Sequence, residues 1–514
     1  MDASDATCEE ETRHILSVEG QHAKDEDGKK DCSSLPAASF NYVNSIVGSG
    51  IIGMAFALNQ AGILLGLILI IGLGMVKYIE VTLHNIYPLS REAVFTFWIL
   101  ENAYVPMCTC CLSLYSKMYI RFKFALPITK LLQVTDYSLI ILIRSSLISG
   151  TNSYQGVMKA AFGKVGYSVL SLLQFIYPFI AMISYNVIVG DTVTKVLTYY
   201  AGLESGSVWV RRELVITIMT LCLSLPLSLC DGMAKFARVS FISLVVTAFV
   251  LFAIIIRLFT LGPFVPQSND AWVLAKPGIT QAVAIASFAY MCHHSTFLLY
   301  GSLKQPTEAR WARLTHVSVF TSALIEIFFA LFGYATFTGF VQGDLLENYC
   351  RGDHLMNAAR IMFCVTILLT SPIECFVARD LIMSTLSGPD GSCEESTSKT
   401  NFLSKIIVTF SLVTATCLIS FSTDCLSIVL EFNGVFAAIP LAYILPALCY
   451  IRLEPSSWKT WHKLPAIMMA FFGILMSFSG LVMIFVNWGM NSSCSHGAEM
   501  SYCPLWVNNT QTKF

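Results

Sequence analysis

The chain has 514 residues, of which 55% are hydrophobic and 13% charged, and its mean hydropathy is +0.65. This composition excludes a water-soluble globular protein and predicts an integral membrane protein surrounded by the lipid bilayer. The net charge of −1 predicts no nucleic-acid partner. The apolar runs are continuous over about 20 residues, which favours membrane-spanning α-helices over a β-barrel.

The first 37 residues differ from the rest of the chain because they are polar and acidic. They contain the acidic runs Glu9–Glu11 and Asp25–Asp27 and lack the pattern of a signal peptide. We expect residues 1–37 to form a disordered cytoplasmic tail. Residues 38–487 then form the transmembrane domain.

The first apolar run, Phe40–Leu58, has the triplet Gly48-Ser49-Gly50 at its middle. A helix in lipid must satisfy its own backbone hydrogen bonds, and glycine on both sides of a serine weakens them. In transporters with such a break, the unwound segment offers backbone groups to a small polar solute and an ion. Small residues also let two helices cross closely in a membrane. The triplet alone does not separate these two interpretations.

Further apolar runs of spanning length follow the first, so the sequence predicts about eleven transmembrane helices. Residues 76–148 are the one region that is difficult to divide into spans. The ten further runs cover residues 63–80, 168–190, 213–230, 239–260, 279–300, 315–338, 358–378, 402–422, 425–450 and 465–487.

Lysine and arginine residues indicate the orientation of these spans. With a cytoplasmic N-terminus, the loops that are richer in these residues face the cytoplasm. An odd number of spans then places the tail, residues 488–514, on the extracellular or lumenal side. This tail carries two N-glycosylation sequons, at Asn491 and Asn508, which are used only on that side.

Three cysteines lie on the same oxidising side of the membrane. They are Cys350, in a loop between spans, and Cys494 and Cys503, in the tail. We expect one disulfide bond among them. The sequence leaves the pairing open.

The sixth span, Ile279–Leu303, contains an unusually polar stretch for the middle of a membrane helix. His293 and His294 are followed there by Ser295 and Thr296. Inverted-repeat transporters have a second broken helix five spans after the first, and this is that position. Histidines of this kind can also lie near a helix end and bond only to neighbouring residues.

The eighth span offers the oxygen atoms that a monovalent cation prefers. Thr370 and Ser371 supply adjacent hydroxyls. Pro372 has no N–H, so a carbonyl one turn earlier lacks its usual donor. A proline kink with hydroxyls bonded back to their own helix is the alternative interpretation.

Three carboxylates lie inside predicted spans, where they normally face a protein interior or a cavity. They are Glu326, Glu374 and Glu431. Glu431, deep in the tenth span, is the candidate for a gating or proton-linked group. Glu374 is closer to a cytoplasmic end, where it can reach water.

Several of these segments together resemble the sodium-coupled neutral amino acid transporters of the amino acid/auxin permease superfamily. The resemblance is carried by Asn41–Gly53, by the Cys292-His293 segment and by Leu369–Pro372. Two further segments, Phe179–Asn186 and Gly339–Leu345, narrow it to one member of the family. The resemblance implies an all-α polytopic protein with the five-plus-five inverted repeat (LeuT-like) and discontinuous first and sixth helices.

The resemblance also implies a set of site residues. Sodium would be bound by Asn44, Thr370, Ser371 and a carbonyl near Val47. The backbone amides of Gly48, Ser49 and Gly50 would bind the substrate carboxylate, and Tyr290 and His293 would line the side-chain pocket and gate.

One block, residues 76–133, departs from the family pattern because it splits the second helix. In that pattern Leu64–Met75 would run almost directly into Val134–Ile143. The block could loop outside the membrane, or residues 93–115 could span it with 131–148 returning. Either arrangement preserves the orientation of everything downstream.

These observations predict a secondary active transporter that couples sodium to the uptake of a small neutral amino acid by alternating access. Proton coupling through His293 or Glu431, or an amino acid sensor with little flux, are the alternatives. We expect no enzymatic activity, no cofactor besides the coupling sodium ion, and a monomer. The sequence leaves open whether the membrane is plasma or lysosomal.

Overall fold

The computed structural model describes residues 34–74, 134–202, 207–229, 236–386, 398–423, 425–456, 463–488 and 499–506. Residues 1–33 of the acidic tail, the block 76–133 and the sequons at Asn491 and Asn508 lie outside the described residues. Within those ranges, every regular element is a helix.

The helices are numbered here as spans in chain order. Spans 1, 2 and 6 each consist of two helices, and the others are continuous or contain only a local bulge. The bounds are Leu35–Ile46 and Met54–Ala61 for span 1, Ile63–Gly74 and Val134–Ser149 for span 2, Tyr154–Tyr200 for span 3, Arg212–Leu229 for span 4, Phe236–Thr260 for span 5, Ile279–Ala289 and Thr296–Ser302 for span 6, Glu308–Phe337 for span 7, His354–Leu386 for span 8, Ser398–Ser420 for span 9, Leu426–Leu453 for span 10 and Leu464–Trp488 for span 11.

Spans 1 and 6 are both broken near their middle, and four spans lie between them. Because consecutive spans cross the bilayer in opposite directions, span 6 runs opposite to span 1. Spans 1–5 and spans 6–10 therefore form the five-plus-five inverted repeat, with span 11 after it. The fold predicted from sequence is confirmed, including the discontinuous first and sixth helices.

Nine described helices are long and apolar enough to cross a bilayer, and the bent halves of span 1 make a tenth. Span 2 does not reach this length in either of its parts. Ile63–Gly74 has 12 residues, which at 1.5 Å per residue give about 18 Å against a hydrocarbon core of about 30 Å. This helix contacts Val134–Ser149, the other part of span 2.

Span 3 begins with a short segment at an angle to the main helix. Gly163 separates the two with a φ of 67° and a ψ of −153°, a conformation that favours glycine. Ser153 caps the start, since its hydroxyl accepts a hydrogen bond from the Gly156 amide at 3.1 Å.

The outer surface of span 11 shows how the fold meets lipid. Phe471, Phe478 and Phe485 are spaced seven residues apart, so they lie on one helix face. Their side chains are 68, 68 and 70% exposed. Large exposed aromatic side chains on one face are stable against lipid and costly in water.

One end of the bundle, here called the disulfide face, consists of residues 338–353 and 499–506. Cys350 and Cys503 form a disulfide bond there. The Tyr502 hydroxyl donates to the Asn348 carbonyl at 2.6 Å, and the Arg257 guanidinium lies 5.2 Å from the centre of the Trp506 ring. The structure thus selects one of the pairings that the sequence left open.

Buried charges hold the loop of the disulfide face against the bundle. Arg257 makes two hydrogen bonds to the Asp353 carboxylate, at 2.6 and 2.7 Å. The fully buried Arg360 donates to the carbonyls of Leu346, Tyr349 and Cys350. Because the terminal nitrogens of Arg360 bond to three carbonyls of the loop, they hold the loop against the helix ends.

We predict that the disulfide bond stabilises this end of the protein. It closes a loop with a sequence separation of 153, and cross-links over long loops contribute about 2–5 kcal/mol. Cys503→Ser should therefore lower the thermal-unfolding midpoint in detergent. Mass spectrometry of non-reduced peptides should recover the Cys350–Cys503 pair in the native protein and in the control Cys494→Ser. A peptide pair joining Cys350 to Cys494 would contradict this assignment.

The disulfide face should also respond to pH through Asp344. Burial, and then the neighbouring Glu347, raises the pKa of this carboxyl from 3.8 to about 7. The folded protein then binds more protons than the unfolded chain between about pH 4 and about pH 7, so this group's contribution to stability falls as the pH rises. Asp344→Asn keeps an oxygen for the Leu346 amide and should flatten that dependence.

The measurement is the thermal-unfolding midpoint at about pH 5 and about pH 8. These two values lie below and above the raised pKa of Asp344. We expect Asp344→Asn to gain stability relative to the native protein at the higher pH. Asp270→Asn is the control, because Lys276 and Ser268 lower the pKa of the exposed Asp270 to about 2, outside this range. An equal response of the two variants would exclude Asp344 as the cause.

Candidate substrate and ion site

The break in span 1 lies where the sequence predicts it. The first helix ends at Ile46, Val47 leaves the helical conformation with a ψ of 69°, and Gly48 has a φ of −97° and a ψ of −148°. A 3₁₀ turn from Ser49 to Gly53 then leads into Met54–Ala61, and the two halves are inclined by 46°. Among the described residues, no side chain caps the new helical start. The Gly48 amide donates to the Ile46 carbonyl at 2.8 Å, so the amides of Ser49 and Gly50 are the first ones available to a ligand.

The two glycines of the triplet have different surroundings. A Cβ at Gly50 would lie 2.6 Å from the Ala289 Cα, so spans 1 and 6 cross here with their backbones in contact. A Cβ at Gly48 would meet nothing within 4 Å. Gly50 therefore forms a close helix crossing, whereas Gly48 borders open space, and a role of the triplet in binding stays a prediction.

The break in span 6 lies beside the break in span 1. Its first half ends at Ala289, Tyr290 and Cys292 are non-helical, and a 3₁₀ turn covers His293–Ser295 before Thr296. Two hydroxyl pairs link the broken spans. The Tyr42 and Thr296 hydroxyls are 3.1 Å apart, as are those of Ser45 and Ser295.

The predicted sodium ligands of span 1 carry an unused oxygen. Asn44 donates through Nδ2 to the Ser240 hydroxyl of span 5 at 3.3 Å. Its Oδ1 atom is buried and has no hydrogen-bond partner among the described residues. Val47 is the cap of the helix that ends here, so its carbonyl is among those without a helical donor.

In span 8, the Thr370 hydroxyl donates to the carbonyls of Thr366 and Ile367, at 3.1 and 3.0 Å. This is the back-bonding that the sequence left as an alternative, and it leaves the lone pairs of the hydroxyl oxygen available to a cation. Ser371 is buried next to it. The Thr370 hydroxyl proton is therefore used in hydrogen bonds, whereas the lone pairs of its oxygen remain available.

Tyr185 of span 3 connects the candidate site residues of span 1 with those of span 8. Its hydroxyl lies beside the hydroxyls of Ser49 in span 1 and Thr370 in span 8. Sequence reasoning did not select Tyr185, although it belongs to the stretch Phe179–Asn186 that carried part of the family resemblance. The missed signal was its spacing of eight residues from Tyr177, which puts both phenols on one helix face.

The other phenol of that face, Tyr177, belongs to a second polar group between spans 3, 6 and 8. The His294 ring packs against the Tyr177 ring with centroids 5.4 Å apart. His294 Nε2 is 4.0 Å from Glu374 Oε1. The sequence placed Glu374 near a cytoplasmic end, where it could reach water. In the structure it lies next to the break in span 6.

Tyr290 and His293, predicted to line the substrate pocket, are both fully buried and face span 2. The Tyr290 hydroxyl donates to the Ile70 carbonyl at 3.3 Å, and His293 Nε2 is 3.0 Å from the Ser138 hydroxyl. These contacts brace the break in span 6 against both parts of span 2. A role in substrate binding stays a prediction for these two residues.

Glu431, the gating candidate, joins spans 6 and 10. It is 3% exposed, and its Oε2 accepts a hydrogen bond from Gln281 Nε2 at 2.6 Å. Three residues further along span 10, Gly434 packs directly on the Ala284 carbonyl of span 6. The carboxyl is therefore held at a tight helix contact, and its gating role stays a prediction.

The unequal surroundings of the two glycines give a prediction on stability. Gly50→Ala should force spans 1 and 6 apart, since its Cβ would lie 2.6 Å from backbone, and overpacking of this kind costs about 1–3 kcal/mol. Gly48→Ala, the matched control, meets no atom within 4 Å. The measurement is the thermal-unfolding midpoint of each purified variant. A larger loss in Gly48→Ala than in Gly50→Ala would contradict the assigned crossing.

Comparison with known proteins assigns this arrangement to a family. The sequence profile described as "Transmembrane amino acid transporter protein" matches residues 31–93 and 131–487. The unmatched stretch, 94–130, falls inside the block 76–133.

Individual relatives match over most of the chain. The protein named "Putative sodium-coupled neutral amino acid transporter 11" is 40% identical in Danio rerio, covering 93% of this chain and 91% of that protein. Its Homo sapiens counterpart is 45% identical, covering 72% and 88%. The vacuolar amino acid transporter 2 of Saccharomyces cerevisiae is 27% identical, covering 92% and 86%.

Among solved structures, the crystal structure of MhsT with L-phenylalanine aligns with a TM-score of 0.47 at 10% identity, covering 89% of this chain and all of that one. A variant of the manganese transporter of Eremococcus coleocola aligns with a TM-score of 0.46 at 11% identity, covering 93% and 92%. The profile match over more than half of the chain and the identity to named relatives show that the chain belongs to the transmembrane amino acid transporter protein family.

Proposed function

We propose that the protein is a sodium-coupled symporter of neutral amino acids that works by alternating access between spans 1, 3, 6 and 8. One observation carries the proposal. Two buried oxygens beside the break in span 1, Asn44 Oδ1 and Ser49 Oγ, have no hydrogen-bond partner among the described residues. Leaving a buried polar atom unpaired costs about 1–3 kcal/mol, so both atoms are well suited to a bound ligand.

The predicted carboxylate site is Gly48, Ser49 and Gly50, and the amino acid is proposed to bind at the amides of Ser49 and Gly50, because the Gly48 amide already donates to the Ile46 carbonyl. A helical start has unpaired amides and a partial positive charge, which favour an anionic group. The open space beside Gly48 lets the ligand approach the backbone. Tyr185 and the His294–Glu374 pair lie on the side where spans 3, 6 and 8 face this break.

The sodium ion is proposed to bind to Asn44 Oδ1, the Val47 carbonyl and the hydroxyls of Thr370 and Ser371. All four ligands are neutral oxygens, which fit a monovalent cation. Tyr185 supports the pairing of spans 1 and 8, because its hydroxyl lies beside both Ser49 and Thr370.

One sodium ion is sufficient for useful accumulation of an uncharged substrate. Moving one charge through a potential of 100 mV releases about 2.3 kcal/mol. Since about 1.4 kcal/mol corresponds to a factor of ten, this supports a concentration ratio of nearly two powers of ten.

The disulfide face is proposed to be extracellular or lumenal, with the N-terminus in the cytoplasm. The Cys350–Cys503 bond supports this, because disulfides persist in oxidising compartments. Residues 488–514, with Asn491 and Asn508 as glycosylation sites, would then face the same compartment.

The block 76–133 is proposed to be an insertion into span 2 that leaves the site intact. The contact between Ile63–Gly74 and Val134–Ser149 supports this, because the two helices that flank the block meet within the fold. The matched parts of the family profile, which omit residues 94–130, also support it.

The proposal predicts that Asn44→Ala and Thr370→Val raise the sodium concentration for half-maximal amino acid uptake by about tenfold or more, the loss of one cation ligand. Uptake of a radiolabelled neutral amino acid panel in proteoliposomes measures this, with choline replacing sodium at fixed pH. Thr336→Val is the matched control, since its hydroxyl is likewise bonded back to a carbonyl, Phe332, but in span 7.

Unchanged sodium activation in both site variants would contradict the sodium assignment. Uptake that persists in choline and follows pH would favour proton coupling. Tight amino acid binding with negligible counterflow would favour a sensor. Repeating the assay without residues 76–133 shows whether the block limits transport.

A further inference from the structure

Glu326 is a buried carboxyl for which the proposed symport has no use. It lies in span 7, 11 residues before the end of the helix at Phe337, which is about 17 Å at 1.5 Å per residue and therefore near the middle of the bilayer. The residue is 0% exposed, and neither carboxyl oxygen has a hydrogen-bond partner among the described residues. Glu431 differs because Gln281 donates to it.

The groups that face Glu326 are neutral. They are the Tyr290 phenol and the Cys292 thiol of span 6 and the Tyr443 phenol of span 10. On the same span, His316 is engaged with another carboxylate, since its Nδ1 is 2.8 Å from Asp136 Oδ2. An ionised carboxylate without a counter-charge in an apolar interior is costly, so the group carries a proton in this conformation.

Donors that could serve the ionised form are close by. The Ser322 hydroxyl is one turn earlier on the same helix face, is buried and has no partner among the described residues. Ser287 lies one turn before Tyr290 and beside Tyr443. Its hydroxyl is also buried and has no hydrogen-bond partner among the described residues. The Tyr290 hydroxyl itself donates to the Ile70 carbonyl. The pocket therefore has partners for a carboxylate that the protonated acid leaves unused.

Tyr290, the residue that can change its hydrogen-bond partner to Glu326, is part of the break in span 6. Tyr290 caps the first half of that span, and its bond to Ile70 ties the break to span 2. When the carboxyl loses its proton to water, the carboxylate becomes the stronger acceptor for the Tyr290 hydroxyl. The bond to Ile70 is then released, and the break is free to move.

We propose that Glu326 is a proton-exchange site: the carboxyl binds a proton in the conformation described here and releases it when Tyr290 changes its partner from Ile70 to Glu326. Its role in coupling rests on the proposed transport cycle, whereas the exchange of the proton does not. The two are therefore tested separately.

The first test is infrared spectroscopy of the purified full-length protein titrated between about pH 5 and about pH 9, where folded proteins are commonly stable. We expect a carboxylic-acid C=O band that is absent in Glu326→Gln, retained in Glu431→Gln, and lost reversibly as the pH rises. Glu326→Asp retains a titratable group and should recover a band if Glu326→Gln folds poorly. A band that stays constant over the whole range, or the lack of any band sensitive to Glu326, would overturn the proposal.

The second test is the pH profile of sodium-dependent amino acid uptake in proteoliposomes. Loss of pH dependence in Glu326→Gln, with the exposed-site control Asp270→Asn retaining it, is the expected result. An unaltered profile in Glu326→Gln would remove Glu326 from the coupling. A native protein without any uptake would instead count against the proposed symport, and the infrared titration would still decide the proton site.

Discussion

The whole fold depends on one constraint, which is that a backbone inside lipid must have its polar groups satisfied. Spans 1 and 6 violate this rule at the same place, and each break is tolerated because the other lies beside it. The contact of Gly50 with Ala289 brings the two backbones together, and the hydroxyl pairs Tyr42–Thr296 and Ser45–Ser295 hold them there. Protein surrounds the two breaks and excludes lipid from them, so their free backbone groups remain available to a ligand.

The surrounding helices restrict what the breaks can do. Span 2 supports span 6 through Ile70 and Ser138, span 3 bridges spans 1 and 8 through Tyr185, and span 10 packs on span 6 at Gly434. At the disulfide face, by contrast, satisfied buried charges and a covalent bond hold the loop in one arrangement. The interrupted backbone of the two breaks and the cross-linked loop of the disulfide face are therefore different kinds of structure, the second fixed by a covalent bond.

Much of the candidate site follows from local sequence. The Gly48-Ser49-Gly50 triplet interrupts a run that otherwise has to be helical, and the polar stretch at His293 interrupts the run five spans later. Both breaks were predictable because the two interruptions lie five spans apart, where an inverted repeat places its broken helices. Tyr185 and Tyr177 escaped notice because an aromatic residue in an apolar run has the same pattern whether it faces lipid, a core or a ligand.

The sequence by itself determined that the chain is a helical membrane protein and where two of its spans break, because spanning length and helical continuity are local properties of the chain. Only the tertiary structure decided that Cys350 pairs with Cys503, that Gly50 serves the crossing while Gly48 borders open space, and that Tyr290 and His293 face span 2. These features depend on which helix faces meet. Inside a membrane nearly every face is apolar, so hydrophobic pattern carries little information about partners, and the choice is made by small residues and a few polar contacts.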